Sequence, residues 1–360
     1  MKACTLYDDR DIRIGDASDP RTLVNRHSTF WRCANATALV AKIPQPYWGG
    51  KPYPLRGRGV TEPTAIMPDD VDIDRLLGVD CPLPHWVQDD LIESIGNIFP
   101  TAWMEAVIGC SIHASAFGCV AKSPNVDLRK AAEDFSVDAA LDSKWLALMV
   151  RVLERAREYA HDQLAVRQWH MRGVVDMLAA YLGEAALCTA AYDSPDALHT
   201  LADKFAETWI AVARRGLELR QRWNAGYVSM WRVFAPEPLI DYQIDASGLF
   251  STKMYAEHFL DADRKVLQAF PYSVVHTHAT GLRHVASLIA IPELGGIEIN
   301  LDRETGIWDK ESVLATCRTI QAHNKPLVLW GELSADELCD FQAALDPRGL
   351  AINYWNHPEM

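Results

Sequence analysis

YSVVHTHATGLRHVASLIAIPELGGIEINLD, residues Tyr272–Asp302, reads as strand, helix, strand. A β-branched run through Val274 and Val275 ends in His276-Thr277-His278. Gly281 breaks the run, and Leu282, Val285, Leu288 and Ile289 then recur at helical spacing. Gly295 and Gly296 end the helix, and a second apolar run, Ile297–Leu301, leads into Asp302. Side chains alternate along a strand, so His276 and His278 lie on the same side. Ligands of α/β folds bind beyond the carboxyl ends of parallel strands, so the pair predicts a site.

The same alternation extends in both directions. AVIGCSIH (Ala106–His113) is predicted as a strand, and Asp138–Tyr159 as an amphipathic helix with Trp145, Met149, Val152, Ala156 and Tyr159 on one stripe. QLAVRQWH (Gln163–His170) is the next strand, followed by a helix over Val174–Leu182. Ser194-Pro195 is an N-cap and first-turn pair for a long helix through Phe205, Trp209, Val212 and Leu219. Tyr227–Val233 is predicted as a strand, and a loop carrying Asp241 and Asp245 leads to a helix from Ser251. Asp309 starts a further helix, Pro326–Glu332 is a strand, and Ser334 with Glu337 forms a capping box. Gly349–Trp355 is the last strand. Seven strands are recognisable and an eighth is expected in the first half. An α/β fold of the eight-stranded (β/α) TIM-barrel type is the economical architecture, with an open doubly wound sheet as the alternative. Residues 1–100, rich in proline and glycine around IPQPYWGGKPYPLRGRG, are expected to wrap a barrel spanning 101–360. Trp31, Tyr47, Trp48, Tyr53 and Trp86 need burial there.

Nearly half of the 360 residues are apolar, enough for a sizeable core. The formal net charge of −13 argues against nucleic acid and anionic membranes as partners and leaves a small-molecule substrate. The sequence carries no signal-peptide pattern, and its longest apolar runs, such as Trp145–Val150, are too short to cross a membrane. The eight cysteines are scattered without a CxxC pair, as expected of reduced thiols in a cytoplasmic protein.

Three segments resemble the uroporphyrinogen decarboxylase-like superfamily, which includes the corrinoid-dependent methyltransferases. They are VVHTH with the following glycine, helix and IEINLD strand; RQWHMRGVVDMLAAYLG (167–183); and KPLVLWGELSADEL followed by RGLAINYW. FWRCANATALVAKIP (30–44) is similar to an entry segment of that superfamily. The resemblance covers roughly residues 100–355 and implies a barrel enzyme, a methyltransferase or a decarboxylase. It also implies zinc as a cofactor and a corrinoid carried by a separate partner protein. The sequence departs from both familiar chemistries. The arginine-rich RQAGRY-type segment of the decarboxylases is absent. The methyltransferases' His-x-Cys is His276-Thr277-His278 here, and the last strand offers Asn353, Trp355 and His357 without a cysteine.

Strand ends of a barrel converge on one face, so the candidate site is drawn from them. His276, His278 and Glu332 are the predicted metal ligands: imidazoles and a carboxylate suit zinc where thiolates are lacking. With His170 they are also the predicted catalytic residues. His113, Trp169, Arg172, Trp231, Arg232, Asn300, Asp302, Trp330, Asn353 and Trp355 are the predicted substrate-binding residues. A strand-end histidine alone is as often a hydrogen-bonded structural residue, and that alternative stands for His113 and His170. The tryptophans are alternatively core, Glu298 alternatively faces the helices or pairs with Arg283, and Asp302 alternatively caps a turn. The function expected is methyl transfer at a His/carboxylate centre. The alternatives are a decarboxylase of a tetrapyrrole or aromatic acid, and a non-catalytic ligand-binding barrel.

Overall fold

The computed structural model describes residues 20–42, 55–56, 63–78, 90–92, 94–96, 102–115, 118–161, 164–303 and 308–355. Its strands in chain order are β1 (Leu39–Lys42), β2 (Thr64–Ile66), β3 (Ser94–Ile95), β4 (Ser111–Ser115), β5 (Gly118–Lys122), β6 (Ala165–Val166), β7 (Tyr227–Val228), β8 (Phe234–Ala235), β9 (Leu239–Gln243), β10 (Tyr272–Thr277), β11 (Gly296–Asn300), β12 (Leu327–Glu332) and β13 (Leu350–Trp355). Six of them pair in parallel in the order β1-β13-β12-β11-β10-β9. The class is mixed α/β, as predicted.

Alternation divides five of these strands between two cores, while β11 gives apolar side chains to the first alone. Val275, Ile297, Ile299, Leu329 and Ile352 pack into the large cluster shared with the helices. Leu39, Leu239, Val274, Val328 and Ala351 form a smaller cluster on the other face, with Trp231 and Phe30. Both faces are buried, which is why these strands are near-continuous apolar runs. On the second face the strands turn polar towards their carboxyl ends. The register there sets His276 beside Gln243 on one side and Glu298 on the other. The helices obey their sequence signals. Ser143 Oγ accepts from Leu146 N–H at 3.2 Å, Asp309 caps Lys310–Ala322, and Ser334 with Glu337 makes the predicted capping box. Among the described residues no single helix is long and apolar enough to cross a membrane.

Several elements differ from expectation. Ala106–His113 is not a strand of the parallel sheet. Trp103–Val107 is helical, Gly109 turns at a φ of 103°, and β4 then runs antiparallel between β2 and β5. Tyr227–Val233 is a strand only at Tyr227–Val228, because Ser229 Oγ takes the Trp231 N–H and Arg232 turns at a φ of 66°. The helix expected over Asp138–Tyr159 is two, Val137–Leu141 and Lys144–Ala160, separated where Ser143 caps the second. The segment read as a loop around Asp241 is β9, and Leu39–Lys42 within the first hundred residues is a strand of the main sheet. Of the predicted strand at Gln163–His170, the described residues form the two-residue β6, which pairs in parallel with β3. Tyr47, Trp48, Tyr53 and Trp86 lie outside the described residues, whereas Trp31 packs edge-on to Phe30 and Tyr272.

Candidate metal centre

The carboxyl ends of three adjacent strands supply the centre. β10 carries His276, and His278 follows two residues later as the chain turns into the 3-10 helix Ala279–His284. β11 carries Glu298 opposite His276, with Asp302 just past its end. β9 ends two residues before Asp245.

Each imidazole is held from behind by its own carboxylate. His276 Nδ1 hydrogen-bonds to Glu298 Oε2, and His278 Nδ1 to Asp302 Oδ2 at 2.8 Å. With Nδ1–H donating to a carboxylate, the lone pair of each neutral ring sits on Nε2. The two Nε2 atoms stand 3.0 Å apart, and Asp245 Oδ1 lies 3.6 Å from one and 3.7 Å from the other. Donors about 2.0–2.1 Å from a tetrahedral ion stand about 3.3–3.4 Å apart, so this spacing is close to what a zinc ion needs. Asp245 Oδ1 is buried with no hydrogen-bond partner, the state of an acceptor awaiting a cation. Three such ligands leave a fourth position open.

The electrostatics agree. Burial opposes charge on the His276 ring, but the Glu298 carboxylate beside it and Asp245 outweigh burial and raise it to about 9. Burial raises Glu298, with His276 opposing. The neighbourhood therefore demands a positive charge between its carboxylates, which a proton or a divalent ion supplies. Burial would raise Asp245 too, but His276, His278 and Arg172 hold it below its ordinary value.

Some of the other predicted residues border this centre. Trp231 stacks on His276 with ring centroids 5.6 Å apart and planes 11° from parallel. Asn353 Nδ2 donates to the Trp231 carbonyl at 3.1 Å, fixing that turn. Gln243 Nε2 donates to His170 Nε2 at 2.6 Å, and burial pushes His170 down to about 4, so that ring is neutral. Trp330 and Trp355 meet edge to face at 5.9 Å and pack against the apolar cluster that contains Trp231, and Asn300 lies opposite Trp330 in the register. Arg172 binds the buried Glu105 at 3.0 Å.

Glu332 is not one of the three converging donors; Asp245 takes that place. The physical reason is strand order. β12 is separated from β10 by β11, roughly 10 Å across at normal strand spacing, whereas β9 is an immediate neighbour. His113 lies on β4, in the separate antiparallel sheet, with Ser111 Oγ 3.4 Å from its Nε2. Trp169 is core: its indole N–H donates to the Met149 carbonyl at 2.9 Å. Arg232 is buried in its turn, where its carbonyl accepts from Ile92 N–H. Sequence reasoning missed Asp245 and the partnership of Glu298 with His276. A signal was available in LIDYQID, where Asp241, Gln243 and Asp245 alternate with Ile240, Tyr242 and Ile244 as on a strand with one polar face.

No protein-family model and no curated protein matches the sequence. Among solved structures, a methyltransferase from Methanosarcina mazei superposes with a TM-score of 0.53 at 12% identity, over 72% of this chain and 74% of that one. The two chains share a fold.

Proposed function

We propose that this chain is a metal-dependent methyl-transfer enzyme, built on an eight-stranded (β/α) barrel of the uroporphyrinogen decarboxylase-like superfamily. The barrel would comprise β1, β3, β6 and β9–β13. A parallel bridge between Arg172 and Gln243 favours it by carrying the β6 segment onto β9. Hydrogen bonds between Asp90 and Val40, in both directions, tie the segment before β3 to β1. The fold of the M. mazei methyltransferase supports the reaction class.

The observation that carries the reading is the paired carboxylate–imidazole arrangement that aims two Nε2 atoms and Asp245 Oδ1 at one point. His276, His278 and Asp245 would hold a zinc ion, which supplies Lewis acidity at the open fourth position. Glu298 and Asp302 orient the two rings. His170, kept neutral, would hold or pass a proton on the substrate side. Trp231, Trp330 and Trp355, with Asn300 and Asn353, would form an aromatic and amide wall for a small substrate, and Arg172 would sit behind Asp245. A corrinoid on a separate protein is the methyl carrier this reading implies. A decarboxylase of polycarboxylates is disfavoured, because Arg172 already serves Glu105.

Metal analysis of protein purified without chelator tests the proposal. About one zinc per chain is expected in the wild type, and none in Asp245→Asn/His276→Ala. A wild-type protein that takes up no divalent ion refutes it.

A further inference from the structure

We infer that Asp176 is a positioning residue for the ligating carboxylate of Asp245, an inference that rests on the centre proposed above. Asp245 Oδ1 accepts no hydrogen bond, so its backbone must set where it points. That backbone is held by one side chain from a distant part of the sequence. Asp176, the third residue of the helix Val174–Leu182, is fully buried. Its Oδ1 accepts from Ala246 N–H at 2.6 Å, and its Oδ2 from Asp245 N–H at 3.3 Å. The same Oδ2 takes the Gly173 N–H at 3.3 Å, at the start of its own helix.

A single carboxyl group thus bolts the first turn of Asp245–Leu249 to a helix start, through hydrogen bonds from both oxygens. The helix start is itself pinned to β9. Val174 N–H donates to Tyr242 Oη at 2.9 Å, and a Cβ on Gly173 would come within 2.1 Å of the Gln243 carbonyl. The end of β9, the ligand-bearing turn and the helix therefore form one rigid corner, with Asp176 at its centre. Removing one of its two acceptor oxygens would free the turn to rotate the Asp245 carboxylate away from the two imidazoles. Outer partners that hold a ligand in place commonly change metal affinity about 10–100-fold.

The test is a double-mutant cycle on cobalt(II) binding, read by chelator competition and by the visible ligand-field spectrum. Asp176→Asn should weaken Co²⁺ binding about 10–100-fold and move the spectrum towards that of Asp245→Asn. In the Asp245→Asn background the same change should cost less than about twofold, because the group it positions is gone. Asp176→Ser, which keeps one acceptor, serves if the Asn variant does not fold. An undiminished affinity in Asp176→Asn, or an equal loss in both backgrounds, overturns the positioning role while leaving the centre standing. A wild-type protein that binds no Co²⁺ overturns the centre and this inference together.

Discussion

His27 reports on how the first hundred residues join the rest of the fold. It sits fully buried on the helix Pro20–Trp31. Its Nδ1 accepts from Phe234 N–H at 2.9 Å, and its Nε2 donates to the Asp90 carbonyl at 2.8 Å. That pattern requires a neutral ring, and burial pushes its pKa from 6.5 down to about 4. A base depressed in this way contributes stability that is complete above pH 6.5. Below that value the unfolded chain takes up a proton that the folded one refuses, so stability falls as the pH drops towards 4. The total is about 3 kcal/mol, of which about 2 kcal/mol is lost by pH 5. His27→Gln keeps a donor and an acceptor but cannot titrate. Urea unfolding of both proteins at pH 7.5 and pH 5, followed by circular dichroism, isolates the effect, since every other group titrates equally in the two. The wild type should lose about 2 kcal/mol more than the variant over that interval. An equal loss in both would mean that His27 is exposed or charged in the fold, and that this helix is not seated between Asp90 and Phe234.

Three further outcomes are expected. His276→Ala should abolish metal binding and cost about 3 kcal/mol of stability, because it strands a buried carboxylate; adding Glu298→Gln should recover most of the stability in urea unfolding but none of the metal. Asp302→Asn should weaken zinc binding about 10-fold by chelator competition, with little change in unfolding, since Asp302 is partly exposed. Uroporphyrinogen should not be decarboxylated at an enzyme-like rate in a product assay, because among the described residues Arg172 beside the centre already pairs with Glu105 and each unpaired buried carboxylate costs several kcal/mol, on the order of 3–5.

What was legible in the sequence follows from the period of each element. β10, β12 and β13 are apolar through most of their length, β11 carries Ile297 and Ile299 on one face, and all are flanked by Gly, Pro or capping residues, so length and composition reveal them. His276 and His278 were visible for the same reason: a polar pair at the end of an apolar run has a defined direction. β3 and β6 are two residues long, below what periodicity can resolve. β9 failed differently. Its inner positions carry Asp241 and Gln243, which look like loop residues until their partners are known. Those partners are the Met230 N–H, which donates to Asp241, and the Gln168 side chain, which bonds the Asp241 backbone. Polar residues inside a sheet are held by such partners, and a sequence does not display them.

The choice of third ligand turns on that same strand. Glu332 is the natural choice if each strand end is ranked by its residue type alone, because it closes a well-marked strand. Once β9 is placed beside β10, proximity favours Asp245 instead, and the two ring-orienting carboxylates explain why Glu298 and Asp302 are unsuited to the task. Each already spends an oxygen on an imidazole Nδ1, and it is Asp245 whose carboxylate oxygen converges with the two Nε2 atoms. The acids of the centre therefore differ in role by what lies beside them. Two set the direction of the rings, one faces the ion, and Asp176 holds the turn from which that one projects. Exchanging Glu332 for Gln should on this reasoning leave metal affinity unchanged, whereas Asp245→Asn should weaken it to what the two imidazoles supply.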